Sequence, residues 1–150
     1  MVPAVSLLEE SSMSESPSRI TISKPHVPAL AKFAERNAVP ASPVARAGDW
    51  IYVSGMPPVN PETGAYDVLP IDAQARRVLD HVKACLEAAG SALDRVVKCT
   101  VYCSNPAYFA TVNAIYAEYF GEHKPARTFL CTAGWFGPFD LEIDCVALAK

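Results

Sequence analysis

The sequence predicts one small α/β domain of the α+β type, with the element order ββαβαββ. Three observations predict it. Two segments repeat apolar residues at spacings of three and four, several short runs are rich in β-branched, aromatic and cysteine side chains, and Gly, Pro and Asn punctuate the boundaries. A chain of 150 residues with 51% hydrophobic content is long enough for one ordinary core and short for two.

Residues 1–25 combine Ser, Pro and Glu without apolar periodicity, so they are expected to form a flexible N-terminal tail ahead of a domain over residues 26–150. Met13 is an alternative start. Between residues 20 and 43 apolar residues return without a clean period, broken by Pro25, Pro28, Pro40 and Pro43, which leaves room for a short strand or a turn of helix. The first firm strand is Trp50-Ile-Tyr-Val-Ser, ending at Gly55 before Pro57 and Pro58. Asn60-Pro-Glu-Thr-Gly64 suits a turn, after which a short strand is expected over residues 66–69.

Asp72 is read as the N-cap of a helix over residues 72–89, whose stripe is Ala75, Val78, Leu79, Val82, Cys85, Leu86 and Ala89 and whose stop is Gly90. A strand follows over residues 96–103, with Val97, Cys99, Val101 and Cys103 on its core face. Asn105 before Pro106 caps a second helix, marked by Phe109, Val112, Ile115, Tyr116, Tyr119 and Phe120 and ended by Gly121. A strand from Arg127 to about Thr132 comes next. In the last, residues 141–148, Leu141, Ile143, Cys145 and Ala147 alternate with Glu142, Asp144, Val146 and Leu148. Two helices cover one face of such a sheet, yet the other face, with Val96, Tyr102, Val146 and Leu148, is also largely apolar. The expected cover is another copy of the chain, in a closed homo-oligomer.

The formal net charge of -3 and the absence of a Lys/Arg block argue against a nucleic-acid partner. The N-terminus lacks a secretory pattern and no run approaches a membrane span, so a soluble cytoplasmic protein without a membrane partner is expected. Cys85, Cys99, Cys103, Cys131 and Cys145 form no Cys-x-x-Cys pair, and Cys99 and Cys103 stand about 13 Å apart along one strand. They are read as reduced core thiols rather than metal ligands. His26, His81 and His123 have no partner at a telling spacing.

Seven ordered blocks carry a family resemblance: Ile51-Tyr-Val-Ser-Gly, Pro58-Val-Asn-Pro-Glu-Thr-Gly64, Leu86-Glu-Ala-Ala-Gly-Ser91, Val96-Val-Lys-Cys-Thr-Val101, Phe109-Ala-Thr-Val-Asn-Ala-Ile-Tyr116, Pro125-Ala-Arg127 and Leu141-Glu-Ile-Asp144. Over residues 47–149 the chain resembles the Rid (YjgF/YER057c/UK114) family. The resemblance implies a chorismate-mutase-like fold assembled as a homotrimer, with ligand clefts between subunits. It also implies cofactor-free, metal-free hydrolysis of reactive 2-imino acids to 2-keto acids and ammonia, although other members are described as endoribonucleases or translation inhibitors.

A 2-imino acid offers a carboxylate and an adjacent electrophilic carbon. Arg127 resembles the family's catalytic arginine, whose planar fork suits the carboxylate; an ion pair between subunits is its other reading. Glu142 resembles the glutamate that positions or activates water, provided that partial burial lifts its pKa; an outward-facing glutamate that solvates an edge is the other. Ser54 and Gly55 fall where the family lines its cleft, or merely end a strand, and Asn113 bonds a cleft loop or faces solvent. Two positions depart from the pattern: Ala41 stands where deaminase members carry a tyrosine, and Met56 where they carry Gln. The segment Thr132-Ala-Gly-Trp-Phe-Gly-Pro-Phe139 replaces a shorter loop, so Trp135 and its neighbours either cap a hydrophobic ligand or pack on the next subunit. Three functions remain open: an imine or enamine deaminase, a non-catalytic module binding a small carboxylate, and an endoribonuclease.

Overall fold

In a computed structural model that describes residues 20–150, the chain forms six strands and three helices. The strands are β1 (Ile22–Ser23), β2 (Val44–Ala47), β3 (Trp50–Met56), β4 (Val96–Cys103), β5 (Ala126–Cys131) and β6 (Leu141–Leu148); the helices are α1 (Ala31–Asn37), α2 (Ile71–Ala88) and α3 (Phe109–Phe120). Residues 1–19, the greater part of the expected tail, lie outside the described residues. The strands make one sheet in the order β1-β2-β3-β6-β4-β5, antiparallel except for β4 beside β5.

The period of two in β6 decides which side is core. Leu141, Ile143, Cys145 and Ala147 are buried, and the cross-strand partners Ile51, Val53, Cys99 and Val101 are buried with them. The stripe of α2, Ala75, Val78, Leu79, Val82, Cys85 and Leu86, closes over this face, joined by Val112 and Ile115 of α3. The opposite face carries Trp50 and Tyr52, 46% and 50% exposed, together with half-buried Tyr102, Val146 and Leu148. None of the described elements covers it.

Several expectations are corrected. The hairpin partner of β3 is β2, which pairs Ala47 with Trp50 across a two-residue turn; residues 66–69 contribute only the isolated bridge of Tyr66 to Val59. Residues 20–43 supply both a strand and a helix, β1 and α1, and β1 falls inside the stretch expected to be tail. Pro70, not Asp72, occupies the N-cap of α2, and Asp72 sits in the first turn, where its charge suits the helix dipole. Asn105 does cap the turn into α3, its side chain accepting from the Ala107 amide at 2.9 Å. In β4 the register shifts between Val96 and Lys98, so Val96 is buried and Val97 is 42% exposed, the reverse of strict alternation. Cys85, Cys99, Cys103 and Cys145 are buried, but Cys131 is exposed because β5 is the sheet edge.

Helix α1 is held to the domain where Gly64 meets its backbone. Gly64 has φ +69°, and a Cβ there would lie 2.3 Å from the Lys32 carbonyl oxygen, whereas Gly48, with φ +61°, faces open space. Gly48→Ala is expected to cost about 1–2 kcal/mol for the left-handed backbone alone. Gly64→Ala adds overpacking and is expected to cost about 2–5 kcal/mol in total. Thermal melts of both variants check this, with the lower melting temperature expected for Gly64→Ala.

Candidate active site in two halves

The alternation that buries Leu141 and Ile143 turns Glu142 and Asp144 to the open face, opposite Tyr102 and Thr100 of β4. The two carboxylates meet different surroundings. The Tyr102 hydroxyl donates to Asp144 Oδ2 at 2.8 Å, whereas no hydrogen bond from the described residues reaches the Glu142 carboxyl. Burial, and secondly the charge of Asp144, push the Glu142 pKa up to about 7. A half-buried carboxyl that titrates near neutrality can take a proton from water and return it.

Gly55 makes that position possible. A Cβ on Gly55 would lie 2.6 Å from Glu142 Oε2, so the carboxyl rests against bare backbone. Beside it opens a cavity of about 330 Å³, walled by α1, the segment before β2, the end of β3 and the loop before β6. Ala41, Met56 and Phe136 are part of its lining. Tyr66 lines it too, and burial, with the Glu142 charge second, raises the phenol pKa. Ser54 is exposed, and its hydroxyl donates to the Ser42 carbonyl at 2.8 Å, fastening the segment that carries Ala41 to β3. Trp135 does not line this cavity. Its ring meets Tyr102 edge-on at 6.5 Å and Phe139 at 5.2 Å, and its buried Nε1 has no acceptor among the described residues.

Arg127 belongs to the other face. It is level with Cys99 in the parallel β4–β5 ladder, and Cys99 is level with Cys145, so the guanidinium emerges on the helix side. There it lies 4.9 Å from the centroid of the Tyr116 ring and 5.9 Å from that of Phe129. No carboxylate of the described residues forms an ion pair with it. A second cavity, about 270 Å³, is lined by Arg127, Lys124, His123, Asn113 and Tyr116. The Asn113 Oδ1 and the Tyr116 hydroxyl are buried without a hydrogen-bond partner, and burial pushes the Tyr116 phenol well up. The cations Arg127 and Lys124, with the Tyr116 hydroxyl as a further donor, suit a small carboxylate, whereas the Asn113 Oδ1 can only accept.

Of the residues singled out in the sequence, the chain thus brings Gly55 to Glu142 and Asn113 to Arg127, but not Arg127 to Glu142. Three residues along β6 and two strand spacings separate their backbones by about 14 Å, and the side chains leave opposite faces. A molecule the size of an imino acid cannot touch both within one chain. Tyr66, Tyr116 and Phe136 join the halves without having been singled out as site residues. The aromatic loop pointed toward Phe136; Tyr116 was visible only as a member of a core stripe, and Tyr66 only as part of an expected strand. Among the described residues, no three His, Cys, Asp or Glu side chains are grouped to hold a metal ion.

A family model described as Endoribonuclease L-PSP matches residues 33–149, extending the resemblance back into α1. A RutC family protein of Pyrococcus abyssi is 45% identical over 120 residues, covering 78% of this chain and 93% of the relative. The 2-iminobutanoate/2-iminopropanoate deaminase of Escherichia coli K12 is 43% identical over 108 residues, covering 69% of this chain and 82% of the relative. The crystal structure of E. coli TdcF with bound serine matches with a TM-score of 0.70 at 32% identity, covering 75% of this chain and 90% of that one.

Gly55→Ala is expected to push the Glu142 carboxyl out toward water and lower its titration midpoint from about 7 toward the ordinary carboxylate range. The side-chain carboxyl carbon followed by NMR against pH checks this, and an unmoved midpoint would refute the positioning role of Gly55.

Proposed function

This chain belongs to the Rid (YjgF/YER057c/UK114) family, and on that premise we propose that it is a cofactor-free hydrolytic deaminase of reactive 2-imino or enamino acids, cytoplasmic and active as a homotrimer. The observation that carries the reading is the pair of complementary half-sites: a cationic hollow around Arg127 on one face and, on the other, Glu142, which has no hydrogen-bond partner among the described residues and whose pKa burial raises to about 7. Two copies would supply both to one ligand. The deaminase among the relatives and the related structure holding serine support a small 2-substituted carboxylic acid as that ligand.

In this mechanism Arg127 of one copy holds the carboxylate through two parallel hydrogen bonds and fixes C2 near Glu142 of another. Glu142 accepts a proton from water as the water oxygen bonds to C2, and delivers it to the imine nitrogen, giving a carbinolamine. It then takes the hydroxyl proton and passes it to the amino group as the C–N bond breaks, releasing ammonia and the 2-keto acid. Ser54 keeps the Ala41 segment against β3, Gly55 seats Glu142, and Asn113 with Tyr116 borders the carboxylate hollow. The reaction needs no redox partner. A module that binds such a carboxylate without hydrolysis is the reading favoured by Ala41 and Met56, which remove polar groups from the cleft. An endoribonuclease is disfavoured by the net charge of -3 and by the carboxylates on the open face.

An amino-acid oxidase that generates imines in situ, with their decay followed with and without this protein, tests the chemistry. The rate should rise with pH through about 7 as Glu142 ionises, and Glu142→Gln should abolish it. Unaccelerated decay with ligand still bound would leave the binding module. Light scattering should give a multiple of the 16.1 kDa chain mass. Arg127→Ala and Glu142→Gln should each be inactive yet assembled, whereas a refolded equal mixture should recover about one quarter of wild-type activity, since three in four random trimers are mixed and each restores one site of three. No recovery in mixed trimers would refute a site shared between copies.

A further inference from the structure

The cavity beside Glu142 is larger and more apolar than a short imino acid requires. At about 30 Å³ per water, its roughly 330 Å³ has room for on the order of ten non-hydrogen atoms. Leu30 and Phe33 form one wall, Val39 and Ala41 a second, and Met56 a third. Apart from Glu142 and the Tyr66 phenol the lining holds no ionisable side chain, and it contains no cation. A ligand carboxylate finds no counter-charge in this lining, and on the deaminase reading the hollow of Arg127 supplies it; an acidic side chain in this cavity would face Glu142. Tyr66 stiffens the wall: its ring stacks on Phe139 at 5.1 Å and meets Phe33 edge-on at 6.0 Å and Phe136 at 6.4 Å. At the rim Val39 and Phe136 are 43% and 78% exposed, apolar surface that a ligand entering the cavity would cover.

We propose that this cavity is a side-chain subsite that selects substrates with a large apolar side chain, branched or aromatic, with the small Ala41 leaving its wall open and Phe136 guarding its mouth. The inference rests on the deaminase reading for the reaction, but the selectivity of the cavity can be measured without any turnover. An apolar pocket discriminates by the methylenes and rings it removes from water, and a methyl side chain would leave most of this one unfilled.

Stable 2-keto acids serve as probes in calorimetric titrations of the assembled wild-type protein. Phenylpyruvate and 4-methyl-2-oxopentanoate are expected to bind at least about tenfold more tightly than pyruvate. Ala41→Phe should fill the cavity and bring that ratio close to one. Phe136→Ala, at an exposed position where folding is not at stake, should lower the ratio for phenylpyruvate. Equal affinities across the wild-type series would overturn the proposal, as would an unchanged ratio in both variants. Dissociation of the oligomer by Ala41→Phe would also overturn it, because the cavity would then house a side chain of a neighbouring copy. Selective binding of the large probes with no accelerated imine decay would instead defeat the deaminase reading and leave the subsite standing.

Discussion

The geometry of the candidate site depends on the pleat of β6. This strand lies inside the sheet, between β3 and β4, and its alternate residues Leu141, Ile143, Cys145 and Ala147 are buried in the core. A slip of one residue would bury Glu142 and Asp144 under α2 and expose the apolar set, so the core itself fixes where the carboxylates point. The start of the strand is fixed as well. Buried Gln74 of α2 donates to the Leu69 carbonyl at 2.8 Å and to Asp140 Oδ2 at 3.0 Å, and its Oε1 accepts from the Asp140 amide at 2.8 Å. One glutamine thereby ties the first turn of the main helix to the residue that precedes β6.

From that frame the two carboxylates on one face acquire different chemistry. Asp144 is engaged by Tyr102, while Glu142 stands over an apolar cavity with Gly55 at its side. Desolvation without compensation holds a proton on Glu142 to higher pH, and Asp144 adds repulsion of the same sign. The strand thus gives one carboxyl a hydrogen-bonding partner and the other a desolvated seat, from neighbours two residues apart.

Much of this frame was legible in the sequence, because helix stripes and strand alternation follow from burial alone. Helices α2 and α3 and strands β3, β4, β5 and β6 fall where periodicity puts them, and β6 matches to the residue. What escaped were features set by partners distant in the chain. Strand β2, Val-Ala-Arg-Ala, has weak strand composition and follows Pro43, and it forms because β3 pairs with it. The bulge near Val97 depends on the register with β6, which no local pattern encodes. The same holds for the site. Arg127 and Glu142 were visible as residues, but that they leave opposite faces is a property of strand pairing, and Tyr66 reaches the cavity through a loop that only tertiary contact shapes.

The separation of the halves also has an energetic side. Asn113 Oδ1, Tyr116 hydroxyl, Thr132 Oγ1 and Trp135 Nε1 are buried in the chain without partners. Each such group costs about 1–3 kcal/mol while it stays unmet. Two of them border the hollow of Arg127, and the other two lie in the segment between β5 and β6, beside the open face. A lone chain therefore carries unmet polar groups beside the Arg127 hollow on one face and, on the other, uncovered aromatic rings beside the face that bears Glu142. On the proposed reading, packing the open face of one copy against the Arg127 side of another would cover Trp50 and Tyr52 and bring an Arg127 hollow to a Glu142 cavity. On the proposed reading, assembly and completion of the site draw on the same surfaces, so a substitution that weakens the oligomer should reach the chemistry even when it touches neither Arg127 nor Glu142.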